Sequence, residues 1–127
     1  MSDNWQIVNQ RPASVAKARR VYVSLNRRGE IALNAEAFKR IGQPASVTLL
    51  YDPVTKCIGV KHPVARDLYF FPVRRTGRGR RTFIVRAARL LKQFGIEVTT
   101  TVVFKNVAVE TLNGNPMLVL EMGKARG

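Results

Sequence analysis

Apolar positions recur along this chain in two rhythms, and each rhythm predicts an element. Val21, Val23 and Leu25 alternate with Tyr22 and Ser24, the period-2 signature of a half-buried strand. Asn26-Arg27-Arg28-Gly29 follows as a turn, with Gly29 suited to a positive φ angle. Ile31 and Leu33 then alternate with Ala32 and Asn34, a short second strand. From Asn34 the rhythm changes to that of a helix. Asn34 is the expected N-cap, Ala37, Phe38 and Ile41 face inward, and Glu36, Lys39 and Arg40 face outward. Gly42 ends this helix and Pro44 prevents its restart. Residues 47–51 and 57–61 are strands joined by a turn that opens at Asp52-Pro53.

The second half is built similarly. Leu68-Tyr69-Phe70-Phe71-Pro72-Val73 is apolar but carries a proline, which predicts an edge strand or an extended cover over the core. Residues 82–85 predict a strand and 86–94 a helix whose apolar stripe is Ala87, Leu90, Leu91 and Phe94, closed by Gly95. Strands at 98–104, 107–112 and 117–122 complete the chain, with Asn113-Gly114 a hairpin signal. The expected class is mainly β with two short helices. The expected organisation is a flexible basic arm over 1–20 and a single domain over 21–123. That domain holds two β-α-β-hairpin units, 21–61 and 82–122, joined by an Arg-rich loop over 62–81, and a basic tail follows at 124–127.

Charge changes the picture more than any motif. Lys and Arg number 22 against 8 acids, a net charge of +14. Such a chain is drawn to polyanions and is sensitive to salt. The excess concentrates in Arg74–Arg81, R-R-T-G-R-G-R-R, and no acid occurs from Leu68 to Ile96. Guanidinium groups stay charged and fork onto phosphate or the guanine edge, while glycine lets a backbone bend close to a partner. Arg74, Arg75, Arg78, Arg80 and Arg81 are therefore expected to bind nucleic acid. Arg27 and Arg28 at the turn, Lys39 and Arg40 on the first helix, and Arg86, Arg89 and Lys92 in a row along the second join them.

Sliding the sequence by 53 residues lays Ile31 on Ile84, Ala35 on Ala88, Phe38 on Leu91, Lys39 on Lys92, Ile41 on Phe94 and Gly42 on Gly95, the pattern of an internal duplication. The stretch R-G-E-I-A-L-N-A-E-A-F-K-R-I-G-Q-P-A-S-V-T-L-L-Y-D, followed by C-I-G-V-K, resembles the swapped-hairpin domain of AbrB-like transition-state regulators and related antitoxins. The resemblance covers about residues 21–61, and the second unit is similar only in outline. It implies a β-barrel of interleaved hairpins, with Arg27, Arg28, Lys39 and Arg40 in the family's DNA-contacting positions. It implies either a homodimer or, with both units in one chain, a pseudo-dimer. Glu30 stands where the family usually has Arg, Asn34 where it has Pro, and Phe38 at a position that is usually basic.

Other chemistries find little support. One histidine, His62, and one cysteine, Cys57, make neither a metal-ligand set nor a nucleophile–base pair, and the scattered acids show no paired-carboxylate spacing. Gly77-x-Gly79 lacks the context of a P-loop. No enzyme activity, cofactor or metal is expected. Tyr22, Tyr51, Tyr69, Phe70 and Phe71 are expected in the core. No membrane span or signal peptide is read, and the expected location is cytoplasmic, on the nucleoid in a bacterium. The leading expectation is a DNA-binding regulator or DNA-gripping subunit. An RNA-binding subunit of a ribonucleoprotein and a basic adaptor or inhibitor docking on an acidic surface stand as alternatives.

Overall fold

A computed structural model describes residues 20–124; the arm over 1–19, with Trp5, and residues 125–127 lie outside the described residues. The strands are β1 (Val23–Leu25), β2 (Glu30–Leu33), β3 (Ser46–Asp52), β4 (Cys57–Lys61), β5 (Phe71–Thr76), β6 (Thr82–Arg86), β7 (Val102–Phe104), β8 (Ala108–Leu112) and β9 (Asn115–Glu121). Among the described residues there are two α-helices, α1 (Ala35–Arg40) and α2 (Ala88–Phe94). All strand pairs are antiparallel, in the order β7-β1-β2-β6-β5-β3-β4-β9-β8, and the sheet curls into a half-barrel. The protein is mainly β. No helix among the described residues is long and apolar enough to cross a membrane.

The strand order shows how the two halves of the chain are joined. The link between the halves is the pair β2–β6, in the register Glu30↔Arg86, Ile31↔Val85, Ala32↔Ile84 and Leu33↔Phe83. Outward from this pair, β1 and β5 each follow as the hairpin partner of β2 and β6. The next strand on each side crosses over: β7 pairs with β1, and β3 pairs with β5. Each half thus lays its third strand against the first strand of the other.

Period 2 explains what is buried. Val23, Leu25, Ile31, Leu33, Phe83 and Val85 point to one face and lie in the core, joined by Ala37, Phe38 and Ile41 from α1, Leu90 and Leu91 from α2, and Ile58, Val60, Leu118 and Leu120 from β4 and β9. Phe38 stacks on Phe83 with ring centroids 4.0 Å apart. At 6 and 7 residues the helices are too short to persist alone. Burial of their apolar sides holds them, at about 1.5–3 kcal/mol for each large aliphatic side chain.

Their ends are fixed by hydrogen bonds. Asn34 caps α1 as its residue type predicts: Oδ1 accepts from Ala37 N at 2.9 Å. The same oxygen accepts from Tyr22 N at 3.1 Å, so the cap also ties the helix to the approach to β1. Both helices close alike. Gly42 N donates to Lys39 O and Gln43 N to Phe38 O; Gly95 N donates to Lys92 O and Ile96 N to Leu91 O. These partners are 53 residues apart, as the sequence offset has them.

In the strands that offset fails. Ile31 is fully buried, whereas Ile84 pairs with Ala32 on the opposite face and is half-buried. Matching buried positions sets Ile31 with Phe83 and Leu33 with Val85, an offset of 52. One residue is added between β6 and α2, and a one-residue shift in a strand moves every side chain to the other face.

The stretch around Pro72 also departs from expectation. Phe71–Thr76 is not an edge strand or cover; it lies inside the sheet between β6 and β3. Pro72 sits at its second position opposite Ser46, and the ladder resumes where Val73 N donates to Ala45 O at 3.0 Å. Arg74 and Arg75 therefore belong to a strand and not to a loop. The strand expected over 98–104 is confined to Val102–Phe104.

At Gly29 the backbone of one half lies against that of the other. Gly29 has φ +84°, its carbonyl accepts from Ala87 N at 2.7 Å, and a Cβ built there would stand 2.8 Å from Ala88 Cα, a backbone atom that cannot swing aside. Gly29→Ala is expected to lower stability by about 1–3 kcal/mol or more. Gly114→Ala, at φ +80° with nothing within 4 Å, is expected to cost less. Denaturant unfolding of the two variants checks the order.

Candidate nucleic-acid interface

The turn Asn26–Gly29 is built by one side chain. Asn26 Oδ1 accepts from Arg28 N and Glu30 N, each at 3.0 Å, and its Nδ2 donates to Glu30 Oε1 at 2.9 Å. This fixes the backbone and leaves Arg27 and Arg28 exposed at the tip. Because Glu30 pairs with Arg86 and Gly29 abuts Ala88, this tip stands beside the start of α2, next to Arg86.

The second tip connects β5 to β6. Gly77 has φ +83°, Gly79 +71° and Arg80 +53°, and Arg80 N donates to Gly77 O at 3.0 Å, which closes a tight turn with Gly79 in the left-handed region. A Cβ on Gly77 would stand 3.0 Å from Thr82 Oγ1, so the residue that opens the turn is glycine for space as well as for angle. Arg78, Arg80 and Arg81 are all exposed here. The register Leu33↔Phe83 places this tip beyond the Leu33 end of β2, the end opposite the first tip. At about 3.4 Å per residue the two tips lie no more than about 30 Å apart along the central pair.

The arginines of β5 are divided by the pleat. Arg75 shares a face with Phe83, and its guanidinium lies over that ring at 5.2 Å from the centroid. Arg74 shares the other face with Ile84. Lys39, Arg40, Arg89 and Lys92 are exposed on the helices. Arg40 is held by Glu36, Nε to Oε2 at 2.7 Å; among the described residues none of the other named cations has an ion-pair partner. The structure therefore gathers two arginine-bearing tips at opposite ends of β2–β6, with Arg86 beside the first. It does not gather Lys39, Arg40 or Lys92 with either. Among the described residues no cluster of three His, Cys, Asp or Glu could hold a metal ion.

Two features run against the sequence pattern. Tyr22, Tyr69 and Phe70 are not core residues; they are exposed, as are Leu68 and Phe94. Only Phe71 of the run 68–71 enters a strand, since a ladder buries one side chain in two and cannot take four in succession. Tyr51 and Phe94 meet at 4.7 Å between centroids. The other feature is Lys61, buried in β4 with its Nζ 3.3 Å from Asp67 Oδ2. That oxygen also accepts from Thr48 Oγ1 at 2.7 Å and Val64 N at 2.8 Å. The pair pins the segment that carries Leu68, Tyr69 and Phe70 to β3 and β4. The period-2 rhythm sets Lys61 with Cys57 and Gly59, opposite the core-facing Ile58 and Val60, so its burial has no signal in the strand pattern.

Comparisons with family models, with curated proteins and with solved structures find no match to this chain.

The backbone N–H of Val64, then the Thr48 hydroxyl, hold the Asp67 carboxyl below its ordinary value, with Lys61 adding to the effect. A carboxyl depressed in the folded state contributes stability above its unfolded pKa and loses it as pH falls through the folded one. Asp67→Asn is therefore expected to lower the thermal midpoint at pH 7, leaving Lys61 buried without its partner. The gap from the parent should close as pH is taken below about 4. Thermal unfolding across a pH series measures it.

Proposed function

We propose that this chain binds nucleic acid, duplex DNA foremost, through its two arginine-bearing hairpin tips. The observation that carries the reading is the pair of tips itself. Each presents exposed guanidinium groups that have no ion-pair partner among the described residues, from a backbone fixed by Asn26 at one end and by Gly77 and Gly79 at the other. An antiparallel strand pair has a local two-fold axis normal to the sheet, so both tips can address one surface. Their separation, no more than about 30 Å, falls within one 34 Å turn of a duplex. Phosphate contacts would supply affinity and set the register, and Arg78, Arg80 and Arg81 would probe a groove.

The resemblance to the AbrB-like swapped-hairpin domain enters on the same footing. Its support is the strand order β7-β1-β2-β6-β5-β3, which reads alike from both ends when β1, β2 and β3 are matched to β5, β6 and β7. A single chain then supplies both partners of the interleaved core. In this reading the protein acts as a transcriptional regulator or as a DNA-gripping subunit of a larger assembly.

The test is a salt titration of binding to labelled duplex. With six to ten phosphates engaged, affinity should fall on the order of a thousandfold or more between 50 and 200 mM salt. Arg27→Ala with Arg28→Ala should reduce the slope of log affinity against log salt by about 2, and Arg78→Ala, Arg80→Ala and Arg81→Ala together by about 3. The two effects should add, since the tips share no contacts. An unchanged slope in either set removes that tip from the interface.

A further inference from the structure

A cleft of about 1390 Å³ lies between the segment preceding β5 and α2, over β3. It does not resemble an ordinary core defect. Tyr69 is 75% exposed and Phe70 47%, and both line it. Arg66, Arg86 and Arg89 line it too, all exposed. One acid, Asp67, reaches the cleft, and its Oδ2 is committed to Thr48, Val64 N and Lys61. The electrostatic character of the opening is therefore positive, while its walls are flat rings.

We infer that this cleft receives the bases of an unpaired nucleic-acid strand, with Tyr69 and Phe70 as stacking surfaces and Arg86 and Arg89 on the backbone. The inference rests on the proposed nucleic-acid function and names a second form of its ligand. Two observations select this occupant. The ligand must be anionic to match three guanidinium groups without free acids, and it must offer flat apolar faces to match two exposed rings. A duplex meets the first requirement and hides its base faces in the stack; a single strand meets both. The backbone that carries the rings is anchored close by before any ligand arrives. Asp67, pinned by three hydrogen bonds, lies two residues from Tyr69, so the ordering cost of binding is reduced. Arg86 stands beside the Arg27–Arg28 tip, which makes the cleft continuous with one end of the duplex-binding surface.

The experiment compares a labelled 20-nucleotide pyrimidine DNA strand with a matched duplex, on the parent chain and on Tyr69→Ala with Phe70→Ala. The expected result is a loss of single-strand affinity of about fivefold or more for each ring removed. Duplex affinity should stay within about twofold, and the salt slope for the strand should not change, because the rings carry no charge. Arg86→Ala with Arg89→Ala should instead flatten the strand's salt slope by about 2. Tyr69→Trp should restore strand binding where Tyr69→Ala loses it. Unchanged strand affinity in the ring variant, beside normal salt-dependent duplex binding, overturns this inference and leaves the proposed function standing. Equal losses for strand and duplex overturn it as well. A parent chain that binds neither form removes both readings. Sedimentation of the same proteins adds one more decisive outcome: a parent dimer that the ring variant dissociates assigns the cleft to a second copy of this chain, and the inference fails.

Discussion

The pairing of β2 with β6 is the contact on which the remaining architecture depends. It joins residues 50 to 56 positions apart by backbone hydrogen bonds, and its register decides which face of each strand is apolar. Ile31, Leu33, Phe83 and Val85 meet the core only in that register, since a shift by one residue would expose all four. The crossed pairs β1–β7 and β3–β5 extend it outward. Such long-range pairing is slow to form because loop entropy is lost before any contact compensates it. The local devices at Asn34 and Gly42 reduce how much must be searched.

Charge and core are kept apart by the same pleat. The excess of cations falls on hairpin tips and helix surfaces, where each guanidinium remains hydrated. Two exceptions are instructive. Arg75 points to the core side of β5 and is accommodated over the Phe83 ring, an arrangement that arginine's weakly hydrated plane permits. Lys61 is inside the sheet and is accommodated by Asp67. Lys61 in turn ties the segment that carries Leu68, Tyr69 and Phe70 to β4.

What could be read from the sequence was local. The cap at Asn34, the glycine stops of both helices and the Asn113-Gly114 hairpin are each set by residue types acting over a few positions, and each stands where the residue types put it. β5 was obscured because Pro72, Arg74 and Arg75 make poor strand material; it is a strand because β6 and β3 lie on either side to pair with it. The Leu68–Phe71 run looks like core because apolar residues usually are. Its exposure depends on where β5 starts, which is a tertiary fact. The arginines are visible as a cluster, yet only the register shows that they fall on two tips at opposite ends of one strand pair.

Carrying both interleaved halves on one chain has a consequence for symmetry. Two identical subunits must present identical surfaces, and their target is held to an inverted repeat. Here the halves have diverged: one tip is a tight four-residue turn with two arginines, the other a glycine-jointed coil with three. A scaffold of this kind keeps the geometry of a dyad while leaving its two ends free to differ, a freedom that two identical subunits lack.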